Sequence, residues 1–76
     1  MQNNLSAIPL AAHPGGKDAG AHVVREFWIG GSCALVFKLT NGFVPAYRDM
    51  AADGYMPDEA TAVEWVEAFA AETVAL

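Results

Sequence analysis

The chain has 76 residues, enough for one small domain and too few for two separate cores. Hydrophobic residues make up 54% of it and charged residues 17%, with eight aromatics among them (4 Phe, 2 Trp, 2 Tyr), which excludes a disordered acidic tail. Nine acids against four bases give a net charge of −5, which disfavours direct binding of nucleic acid, and no apolar run reaches the roughly 18 residues of a membrane span. A single cysteine excludes an internal disulfide framework and makes a reducing compartment the default.

The opening residues, MQNNLSAIPLAAHP, lack a basic start, and Pro9 interrupts their mildly apolar stretch. They do not read as a secretory signal, so a cytoplasmic protein is the expectation. Leu5 to Leu10 suits one short helical turn or a loose strand, with Leu5, Ile8 and Leu10 packing onto the domain. HPGGKDAG, residues 13–20, reads as a loop. Residues 1–21 are therefore taken as an N-terminal extension with a Gly/Pro loop, and 22–76 as a single small domain.

His22 to Ile29 (HVVREFWI) is rich in β-branched and aromatic residues and reads as a strand, with both sides similarly apolar. Gly30-Gly31 supplies a tight turn. Ser32 to Thr40 alternates, with Cys33, Leu35, Phe37 and Leu39 on an apolar face and Ser32, Ala34, Val36, Lys38 and Thr40 on a wetter one. Asn41-Gly42 is a strong hairpin signal; a two-residue loop there pairs Thr40 with Phe43, Leu39 with Val44 and Phe37 with Ala46. Phe43 to Arg48 is the return strand, and Pro45, which cannot donate to a ladder, marks it as an edge strand.

Asp49 to Met56 reads as a loop. Pro57 then opens a helix to about Thr73, with Asp58 and Glu59 in its first turn, where the dipole favours anions. Ala62, Val63, Val66, Phe69, Ala70 and Thr73 share one helix face, Glu64 and Glu67 point away, and Trp65 and Glu72 lie on a flank. The predicted architecture is α+β: a three-stranded antiparallel β-meander with one C-terminal amphipathic helix packed on it, in the order β-β-β-α.

The charges divide unevenly along the chain. Residues 1–48 hold all four bases (Lys17, Arg25, Lys38, Arg48) and two acids (Asp18, Glu26). Residues 49–76 hold seven acids and no base: Asp49, Asp53, Asp58, Glu59, Glu64, Glu67 and Glu72. A helix built for stability alone intersperses lysines at i,i+4, and this one has none. Its field attracts a cationic partner, and cationic partners in a cell are mostly nucleic-acid-binding proteins. The bland alternative is a solvated face that keeps the protein soluble. Trp65 beside Glu64 and Glu72 has the composition of an interface anchor with an acidic rim, or else covers the sheet edge.

Other chemistries find little support. GGKD at 15–18 departs from a phosphate-binding loop, with Ala11 at the first glycine position and Asp18 at the Ser/Thr position. His13, His22 and Cys33 fit no zinc spacing, and Cys33 lies within an apolar strand face where a thiol is usually inert. No catalytic residue, metal site or cofactor is expected.

In its stand-alone length and its acidic stretch from Asp49 to Glu72 (DMAADGYMPDEATAVEWVEAFAAE), the chain resembles the small acidic inhibitors that phages carry against bacterial defence, the anti-CRISPR proteins. The resemblance covers no diagnostic motif. It implies a non-enzymatic protein in the host bacterial cytoplasm that binds a Cas effector or surveillance complex, imitates DNA, and blocks target DNA binding. The partner-binding role would fall to Asp49, Asp53, Asp58, Glu59, Glu64, Trp65, Glu67 and Glu72. The alternative is a small homo-oligomeric or adaptor module with an interface at the sheet edge or at Trp65. A monomer and a homodimer are both compatible with the sequence.

Overall fold

The computed structural model describes residues 6–13 and 21–74. They form one five-stranded, wholly antiparallel sheet with one helix across a face, an α+β arrangement. The strands are β1 (Ala7–Pro9), β2 (His22–Ile29), β3 (Ser32–Leu39), β4 (Gly42–Tyr47) and β5 (Met50–Ala52), in the spatial order β1-β5-β4-β3-β2; the helix α1 is Glu59–Val74.

The three-stranded meander is thus the centre and one flank of a wider sheet. β5 follows β4 through the two-residue turn Arg48-Asp49, with Arg48 in the left-handed region at φ 60°. Its Met-Ala-Ala has no β-branched or aromatic residue, so its composition does not separate it from a loop. β1 then pairs with β5, Ile8 opposite Ala51, and a 3-10 turn at Leu10–Ala12 follows. Residues 7–9 therefore belong to the sheet itself, not to a separate extension. Leu5 and the Gly/Pro loop over 14–20 lie outside the described residues.

The first hairpin has the predicted turn: Gly30 and Gly31 both take positive φ (59° and 80°), and Ile29 faces Ser32. The second differs. Leu39 pairs with Gly42, Phe37 with Val44 and Leu35 with Ala46, a register two residues away from the expected one, with Thr40-Asn41 as the turn. The reason lies at Gly42. A Cβ there would stand 2.7 Å from the Met56 carbonyl oxygen, and φ is +146°. Phe43 and Met56 exchange two backbone hydrogen bonds across this approach, at 3.0 and 2.7 Å. The glycine serves a close backbone contact, not the turn. Because the slip is an even number of residues, every side chain keeps its face.

β4 is an interior strand, contrary to the edge position that Pro45 suggests. The missing N–H is tolerated because β5 is short and pairs only with Ala46 and Tyr47, so its ladder stops before Pro45.

Two apolar layers result. Ala34, Tyr47, Ala52, Trp65, Val66 and Ala70 form the core between sheet and helix, flanked by Phe27, Ile29 and Phe69. The helix thus rests on the β3 face that reads as wetter in sequence. Ala34, Ala52 and Ala70 let it approach closely around the rings of Tyr47 and Trp65. On the opposite face Leu39, Val44, Ala46 and Ala51 cluster beneath Leu10, Ala21 and Tyr55. His13 is buried, edge-on to Tyr55 with ring centroids 5.4 Å apart.

Candidate interaction surface

The acidic residues fall into three groups. Asp58 is the N-cap of α1, with its Oδ1 accepting from the Thr61 backbone N–H at 2.8 Å; that hydrogen bond holds its carboxyl below the usual range. Pro57 accordingly lies outside the helix. Glu59, at the first helical position, is half-buried and accepts from Arg25 Nε at 2.6 Å. These two acids are engaged in starting the helix and tying it to β2.

Glu64, Glu67 and Glu72 form the second group. All three are exposed on α1, and no base lies on that helix. Glu64 and Glu67 are one turn apart and share the outward face, while Glu72 lies farther round. The third group is Asp49 in the β4–β5 turn and Asp53 just after β5, both exposed. The structure thus places the seven acids in three settings, of which the second is the exposed, base-free part of the helix.

Trp65 does not belong to that face. It is 9% exposed and stacks on Phe69 with centroids 4.8 Å apart, inside the sheet–helix core. That burial fits a Trp65 that covers the sheet and leaves little of its ring exposed as an anchor. The described bases have contacts as well: Arg48 donates from Nε to Ser32 Oγ at 2.9 Å and lies over the Tyr47 ring, and Lys38 lies over Phe43.

One surface feature escapes a reading by composition. The described residues include three exposed large hydrophobics, Val23 (47%), Val24 (38%) and Trp28 (66%), and all three lie on β2. The similar apolarity of that strand's two sides is the sequence signal for it.

The Cys33 thiol is pushed up by partial burial and by the neighbouring Glu26 carboxylate, whose Oε2 is 3.8 Å from Sγ. Among the described residues no three His, Cys, Asp or Glu side chains come together as a metal-holding group. No helix among them is long and apolar enough to cross a membrane. No protein-family model, curated protein or solved structure matches the chain.

Proposed function

We propose that this protein is a non-enzymatic binding protein whose acidic helix face occupies the basic, DNA-receiving surface of a nucleic-acid-handling protein. The observation that carries the reading is the exposure of Glu64, Glu67 and Glu72 on a helix with no base, packed on the sheet through its other side. From Glu64 to Glu72 the helix advances about 12 Å, comparable with three or four phosphates along one strand of duplex DNA. Held on a folded scaffold, the carboxylates need little ordering when they bind. The anti-CRISPR resemblance makes a Cas effector or surveillance complex the first partner to try.

The test is capture from a bacterial lysate on immobilised wild type and on Glu64→Lys/Glu72→Lys, with duplex DNA as competitor. The wild type should retain a DNA-binding protein that DNA and salt release, and the variant should not. Equal capture by the two overturns the reading. The exposed β2 edge favours a second reading, an interaction module that works through its sheet.

A further inference from the structure

The two edges of the sheet are unequal. The β1 edge is three residues long and ends at Pro9 and a 3-10 turn, which blunts it. The β2 edge is eight residues long, lacks proline and lysine, and carries the three exposed large hydrophobics. Antiparallel alternation leaves every second amide and carbonyl of β2 aimed away from β3.

We propose that β2 pairs antiparallel with β2 of a second copy, about a two-fold axis at Phe27, joining the two sheets into one of ten strands. The register follows from the strand. A bulge between Val23 and Arg25 interrupts it, so its regular part is Arg25–Ile29, whose midpoint is Phe27. A two-fold axis centred on Arg25 or on Glu26 would set like charges face to face. Centred on Phe27, it sets Glu26 opposite Trp28 on the face away from the helix, and Arg25 opposite Ile29 on the helix face.

That register also matches charge across the junction. Ile29 lines a shallow dent of about 460 Å³ with Gly30, Glu67, Ala70 and Ala71. Arg25 of the partner subunit, opposite Ile29, meets the dent where Glu67 supplies a carboxylate. Its Nε stays on its own Glu59, and the two-fold repeats the contact. The net charge of −5 opposes association, but charges beyond about 8 Å are screened at physiological salt, and β2 itself carries one acid and one arginine. One strand pair with Trp28 covered buries about 1,000 Å² in total, at the threshold of a specific interface, so a wide concentration range is needed to see the dimer. The proposal shares Glu67 with the acidic-face reading and otherwise rests on β2.

Sedimentation equilibrium from about 1 μM to 1 mM tests it, with hydrogen exchange at the two extremes. The wild type should rise toward twice the monomer mass, and β2 amides should gain protection at the high concentration. Trp28→Glu places a second carboxylate opposite Glu26 and should stay monomeric; because Trp28 is 66% exposed, its circular dichroism and dilute-solution Tm should match the wild type. Glu67→Arg should weaken association about ten-fold. A wild type monomeric throughout, a Trp28→Glu protein that dimerises equally well, or protection gained on α1 or β1 and not on β2 overturns the proposal. Trp28→Glu leaves Glu64, Glu67 and Glu72 in place, and the Glu64→Lys/Glu72→Lys capture leaves β2 in place, so failure here is distinct from failure of the acidic face.

Discussion

Tyr47 shows how single residues hold this fold. It is fully buried, its ring meets Phe69 edge-on at 6.3 Å, and its hydroxyl donates to the Ile29 carbonyl at 2.8 Å. It thereby joins β4 to the end of β2 across β3. Tyr47→Phe keeps the packing and leaves that carbonyl without this donor, so urea denaturation should report a loss of about 1 kcal/mol. Gly42 is more demanding: an alanine would need both an unfavourable φ and a shift of the Met56 backbone. Gly42→Ala should cost about 2 kcal/mol or more and should expose the Phe43–Met56 pair to hydrogen exchange. Val66, fully buried between helix and sheet, should cost about 2 kcal/mol on truncation to alanine.

At the scale of elements, α1 begins where its chemistry requires. The Asp58 carboxyl is held low by the Thr61 N–H, so its capping contribution is complete above the ordinary aspartate range and is lost as pH falls through the lowered folded-state value. Asp58→Ala should therefore lower the Tm at neutral pH, and the difference from wild type should shrink as the solution is acidified into that range. The helix, β2, the Gly30-Gly31 turn and the buried trio Ala62, Val66 and Ala70 were legible in sequence because local rules and tertiary packing agree there. The register after Leu39 was not. Asn41-Gly42 has the chemistry of a turn, but a contact with Met56, distant in sequence, claims the glycine. β5 was hidden for a related reason: a Met-Ala-Ala strand forms only between neighbours that offer it an edge, and that edge in turn decides for a strand at Ala-Ile-Pro, where the sequence left a loose strand and a helical turn both open. In the candidate surface, the positions of Glu64 and Glu67 follow from helical period alone. The burial of Trp65 does not, because it depends on which face of the sheet the helix covers.

For the whole molecule, one side carries an acidic helix and one edge carries the exposed hydrophobics of β2. The sheet's second layer, beneath Leu10, Ala21 and Tyr55, lets five strands stand on a single helix in a chain this short. Of the described bases Arg25 pairs with Glu59 at the start of the helix, while Arg48 bonds Ser32 and Lys38 lies over Phe43, away from Glu64, Glu67 and Glu72. If the helix face substitutes for DNA, the partner's affinity should fall steeply as salt rises, while the fold, held by an apolar core, should not. The most direct measurement is a calorimetric titration of the captured partner with this protein, in the absence and in the presence of saturating duplex DNA. The account predicts that DNA abolishes binding and that Glu64→Lys/Glu72→Lys does so without DNA. Undiminished binding to the DNA-loaded partner would contradict it.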